Sequence, residues 1–157
     1  MKLFYFLFLL TATFAAPDFC VAQQEKPDPT ELINKEAIQD LKGLHAAAVK
    51  YIKDKGSWPQ FPKGIKDLSE DKFYGFFKGA LKPYGATPEM WKHSADKSTA
   101  EASYVPSMFD DKPNTPYRWN QPWFISRGTF PGNFLIQPDG SVSNLENLTG
   151  KMTKENP

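Results

Sequence analysis

The stretch "DPTELINKEAIQDLKGLHAAAVKYIKDKGSWPQFP", Asp28 to Pro62, decides the fold. It opens with a cap acceptor at Asp28, a proline at the first helical position and Glu31 three residues after the cap, which is the layout of a capping box. Apolar side chains then recur at Ile33, Ala37, Leu41, Leu44, Ala48 and Ile52, at steps of four, four, three, four and four, tracing one face of a helix. Lys35, Asp40, Lys42, Lys50, Lys53 and Asp54 occupy the other side. The spacing therefore predicts a half-wet, half-buried helix from Asp28 to Lys55, on the order of 40 Å long. Gly56 adopts the left-handed conformation that ends helices at little steric cost, and Pro59 and Pro62 bar any continuation. Trp58 and Phe61 are expected to tuck the chain under the helix as it enters the body of the domain.

Downstream segments supply what this helix packs against. Ser69 followed by "EDKFYGFFKGALKPYG" reads as a second helix with Phe73, Phe76, Phe77, Ala80 and Leu81 inward, weakened by Gly75 and Gly79. A turn of helix is expected at Thr87-Pro88-Glu89, anchored by Trp91. After Asp96 the runs "SYVPSMF", "YRWNQPWFI", "NFLIQ" and "SVSNL", separated by proline, asparagine and glycine, read as strands of an antiparallel sheet. Pro106 and Pro122 predict edge positions or bulges. In "FLIQPDGSVSNL", Pro138-Asp139-Gly140 between two apolar runs predicts a tight hairpin. The fold class is thus α+β: a long N-terminal helix packed on a small antiparallel sheet. With neither internal repeat nor long linker, residues 23–150 read as one domain and 151–157 as a polar tail.

Residues 1–22 read as an export signal: Lys2, an apolar run to Ala16, the breaker Pro17, and the small-residue ending Cys20-Val21-Ala22, with cleavage expected after Ala22. The run from Leu3 to Ala16 is shorter than the roughly 17 residues a spanning helix needs, so membrane attachment is expected only if the signal stays uncleaved. The expected location after cleavage is extracytoplasmic, periplasmic or secreted. The single cysteine, Cys20, lies inside this segment, which leaves the mature chain without disulfides, thiol catalysis or cysteine metal sites. Cleavage also removes Lys2 and Asp18, so 18 basic residues face 17 acidic ones and no strong field points toward nucleic acid.

Candidate chemistry is sparse. His45 sits at the rim of the first helix's apolar stripe and reads as structural. His93, with Ser94 and Asp96 beside it, does not make a triad, because triads are assembled in space from distant segments. Asp110 and Asp111 lie in the oxygen-rich "FDDKPNTP", which lacks the regular spacing of a calcium loop. No catalytic residue, metal site or cofactor is expected. The aromatic run "PYRWNQPWF" is the remaining resource. On a strand, Tyr117, Trp119 and Trp123 would share one face, as core if buried or as a stacking platform for a glycan or peptide if exposed. Asp28, Gly56, Trp58, Pro59, Asp139 and Gly140 are read as structural.

With these elements in place, the chain from Leu32 to Leu145 resembles the globular part of the type II secretion major pseudopilins and related prepilin-like proteins with a C-terminal "DG" hairpin. The resemblance is carried by "LKGLHAAAVKYIKDKGSWP", by "LKPYGATPEMWKHSADKSTAEASYVPSMF", similar to the segment where relatives place a Cys-Pro-Ser-Asp cluster, and by "GNFLIQPDGSV". It implies a pilin-like head that is not an enzyme and that contacts an envelope or secretion-system protein. The chain departs from the pattern in three places. Met1 to Ala22 holds neither the glycine nor the glutamate of a prepilin leader. Thr129 stands where relatives have a histidine, and His93 where they have the cysteine. No pseudopilin calcium ligand has a clear match.

Overall fold

A computed structural model describes residues 28–61, 69–118 and 121–145; the signal-like segment 1–22 and the tail 151–157 lie outside the described residues. Helix α1, Pro29–Lys55, begins and ends where its local chemistry dictates. The Asp28 carboxylate accepts from the Thr30 N–H at 3.0 Å, satisfying one of the helix's orphan donors. At the other end Gly56, at φ 75°, donates its N–H to the Ile52 carbonyl at 2.8 Å. Ala37, Leu41, Leu44, Ala47, Ala48 and Ile52 are buried and Ile33 is half-buried, so the apolar stripe faces the core as its spacing predicts.

The core lies between α1 and a four-stranded antiparallel sheet whose spatial order follows the chain: β1 Tyr104–Pro106, β2 Phe124–Ser126, β3 Phe134–Ile136 and β4 Val142–Asn144. Val105 pairs with Ile125, Ile125 with Leu135, and Leu135 with Ser143. Helix α1 packs against the two inner strands, while α2, Glu70–Leu81, and α3, Pro88–Trp91, pack alongside it. Helix α2 buries Tyr74, Phe77 and Leu81, with Phe73, Phe76 and Ala80 half-buried. Tyr74 joins the expected inward set because Arg127, at the end of β2, donates to its hydroxyl at 3.3 Å. Phe73 and Phe76 sit further out, against Phe61.

Trp58 stands at the centre, only 1% exposed, with Phe109, Trp123, Phe124 and Phe77 at ring-centroid distances of 5.2, 5.2, 5.8 and 6.4 Å. The chain that leaves α1 at Gly56 therefore turns straight into the core, and Pro59 is buried beside it. Trp58, more than Phe61, makes this turn hold.

One strand expectation is corrected. "YRWNQPWFI" is not a single strand: Thr115–Arg118 form a helical turn, α4, and β2 starts only at Phe124. Asp110 explains the difference. Its carboxylate accepts from the Lys112 N–H at 3.0 Å and from the Thr115 hydroxyl, pulling the chain into a turn ahead of Pro116. Pro106 lies on the edge strand, as its missing donor requires, whereas Pro122 precedes β2 and offers its carbonyl to the Ser107 hydroxyl.

The β3–β4 hairpin has the three-residue loop Pro138-Asp139-Gly140. Gly140 donates to the Gln137 carbonyl at 2.9 Å, and Asp139 accepts from the Ser141 N–H at 2.9 Å. Gly140 lies at φ 81°, and a Cβ there would meet His45 Cε1 at 3.2 Å. Gly140→Ala is therefore expected to lower unfolding free energy in urea by about 1–2 kcal/mol. Gly75→Ala, in open space on α2, should instead raise it by about 0.5–1 kcal/mol.

Candidate functional site

Of the aromatic residues singled out from the sequence, Tyr117 and Trp123 do not share one exposed face. Tyr117 is on α4 and 49% exposed, while Trp123 lies ahead of β2 and is 0% exposed. Their rings meet edge to face at 5.4 Å, Trp123 stacks on His45 at 4.7 Å, and its indole N–H donates to the Pro116 carbonyl at 3.0 Å. Trp119 lies outside the described residues. The shared-face argument assumed an extended chain, and the helical turn removes that premise. Among the described side chains of α4, the Tyr117 ring is the one that faces solvent. His45 is structural in the sense expected: with Nε2 2.9 Å from the Pro138 carbonyl, it joins α1 to the hairpin turn.

A cluster of titratable groups lies under the first half of α1 instead. Glu36 and Asp40 stand four residues apart on the helix, and one oxygen of each lies within 4.8 Å of the other and of a His93 nitrogen. Ser94 donates to Glu36 from its N–H at 3.0 Å and its hydroxyl at 2.7 Å. Partial burial works against the Glu36 charge, but these two bonds outweigh it and hold the carboxyl below its ordinary value. Asp40 has the Tyr104 hydroxyl, donating at 3.0 Å. Burial dominates there and pushes its carboxyl up to about 6. Burial, reinforced by the Asp40 carboxylate, keeps the Tyr104 phenol protonated.

His93 decides what this trio can hold. The ring is 1% exposed and stacks on Phe130 at 4.3 Å. Its Nδ1 accepts from the Ala95 N–H at 3.0 Å, so the proton sits on Nε2 and points at the Ile33 carbonyl, 3.1 Å away. A metal-bound imidazole gives one nitrogen lone pair to the ion and donates from the other nitrogen. Here the nitrogen near the carboxylates carries the proton and the other one faces a donor. The distances would suit a cation; the hydrogen bonds do not.

Beside this cluster, Asp96 is 5% exposed. It accepts from the Ser103 hydroxyl at 2.6 Å, the Thr129 hydroxyl at 2.8 Å and the Ser98 N–H at 2.9 Å, with the Lys92 ammonium 3.0 Å away. Burial opposes the charge, but the bonds from Ser103, Ser98 and Thr129 prevail and set its carboxyl well below the usual range. Lys92 also donates to the carbonyls of Ser98 and Ala100, both at 3.0 Å, which closes the loop between α3 and β1.

No protein-family model, curated protein or solved structure matches the chain.

The structure thus brings His93, Ser94 and Asp96 near one another without making a triad. Both His93 nitrogens are on backbone groups, Ser94 faces Glu36, and Asp96 faces Ser103 and Thr129. The Asp110 carboxylate is used in the turn leading to α4. Sequence reasoning missed Glu36, Asp40, Lys92, Ser103 and Tyr104. The one local clue was the Asp96-Lys97-Ser98 spacing of a side chain that bonds two residues on.

Proposed function

We propose that this chain is an exported, non-enzymatic, pilin-like domain that acts through protein contacts in a secretion or pilus-like assembly. The observation that carries the reading is the long helix α1 laid on the inner strands of a small antiparallel sheet, with the closing Asp139-Gly140 hairpin tied back to it by His45. The bonding of the half-buried and buried side chains supports it. His45, His93, Asp96 and Tyr104 each bond across elements, and so act as scaffold. Thr129, in the loop after β2, donates to Asp96 at 2.8 Å and joins this scaffold.

Tagged at its C-terminus and expressed at native level, the protein is expected in the extracytoplasmic fraction with its N-terminus at Gln23, cross-linked to pilus or secretion-system proteins. Recovery from the cytoplasm with Met1 intact, or the absence of such cross-links, would overturn the proposal. A glycan- or peptide-binding module is the second reading, favoured by the exposed Tyr117 ring. A saturable change in tryptophan emission on adding oligosaccharide, lost in Tyr117→Ala, would select it.

A further inference from the structure

We propose that Asp40, enclosed with Glu36, His93 and Tyr104, is a proton-binding site that tightens α1 onto the sheet as the surroundings acidify. Two carboxylates one helical turn apart share a partly buried space, and such crowding is relieved either by a cation or by a proton. Among the described residues, no lysine or arginine pairs with either carboxylate. From the loop after α3, His93 places both ring nitrogens on backbone groups, Nδ1 accepting from the Ala95 N–H and Nε2 lying against the Ile33 carbonyl, so neither is bonded to Asp40. From the same loop, Lys92 is committed to Asp96, Ser98 and Ala100, and Asp96 adds negative charge on the Tyr104 side. From β1, Tyr104 offers one neutral hydroxyl.

The two carboxylates are not equivalent. Both Ser94 donors go to Glu36, which is also the more solvated, so Glu36 keeps its charge and the proton goes to Asp40. The shifts of the two groups in opposite directions agree with this division. Protonation removes the repulsion between the two residues while leaving an oxygen for the Tyr104 hydroxyl. The sign follows. The folded value of about 6 lies above the ordinary 3.8, so the folded state takes up the proton first. Stability from this site is absent well above pH 6 and is gained as pH falls toward 3.8. The inference does not depend on export or on assembly.

The test compares thermal unfolding of the full chain with Asp40→Asn, which keeps an acceptor for Tyr104 and cannot ionise. The variant should melt above the wild type by about 3 °C near about pH 7.5, and the gap should narrow below about pH 6 and close only near the ordinary value of 3.8. Taking the difference cancels other groups that titrate in both proteins. An equal gap at both ends of this range overturns the proposal. A carboxyl-carbon NMR titration gives an independent readout: the Asp40 midpoint is expected near 6, and a midpoint in the ordinary range overturns it. Tyr104→Phe removes the donor that favours the carboxylate and should move that midpoint higher. Millimolar zinc or calcium should leave the melting temperature unchanged; a rise that Asp40→Asn abolishes would make the cluster a metal site and overturn the proton reading.

Discussion

Asp96→Ala is expected to lower unfolding free energy by about 3–5 kcal/mol, because it removes the buried carboxylate that four donors share. The Ser98 N–H would be left facing an apolar methyl, the Ser103 and Thr129 hydroxyls would lose their common partner, and Lys92 would lose its counter-charge. Urea unfolding followed by tryptophan emission measures the loss. Asp96→Asn should cost less, since it keeps one carbonyl for Ser98, but its amide then opposes the Lys92 ammonium. The pH dependence distinguishes a charge effect from a packing effect. The Asp96 carboxyl is depressed below its ordinary 3.8, so its contribution is fully present above that value and is lost as pH falls below it. The gap between wild type and Asp96→Asn should be level from neutral pH down to about pH 5 and narrow in stronger acid. A gap that widens there, or an Asp96→Ala variant within about 0.5 kcal/mol of wild type, would show that the network contributes no stability.

Trp58→Ala is expected to cost a similar amount, about 3–5 kcal/mol, which is a large part of the margin of a domain this size. Its ring is the one that Phe77, Phe109, Trp123 and Phe124 all contact, so truncation opens a cavity that none of them can fill without leaving its own contacts. Trp58→Phe should be much milder. Among the described residues the buried Trp58 indole N–H has no hydrogen-bond partner, and phenylalanine removes that donor while keeping most of the ring area. A Trp58→Phe loss as large as that of Trp58→Ala, in the same urea titration, would place a hidden partner on the indole nitrogen.

Helix α1 and the Asp139-Gly140 hairpin were legible because their causes are local. Asp28 bonds two residues on, Gly56 ties to Ile52, Gly140 to Gln137, and a helical apolar stripe repeats within a few residues. Parity along "YRWNQPWF" does not hold between Tyr117 and Trp123, because Thr115–Arg118 form a helical turn and the strand starts only at Phe124. The outcome was set by Asp110 bonding Lys112 and Thr115, and by Trp123 filling the space between His45 and Trp58 with its N–H on the Pro116 carbonyl. Tyr117 consequently faces solvent from a helical turn, while Trp123 belongs to the core.

The sequence by itself determined where the long helix begins and ends, which of its sides is oily, where the hairpin turns, and that the class is α+β. Those properties follow from steric preference and hydrogen bonds reaching no more than about one helical turn. Only the tertiary structure decided which ionisable groups share a space. Ser94 meets Glu36 across 58 positions, Tyr104 meets Asp40 across 64, and Thr129 meets Asp96 across 33. A charge's behaviour depends on its distance from water and from other charges. Those distances exist only once the helix has settled on the sheet.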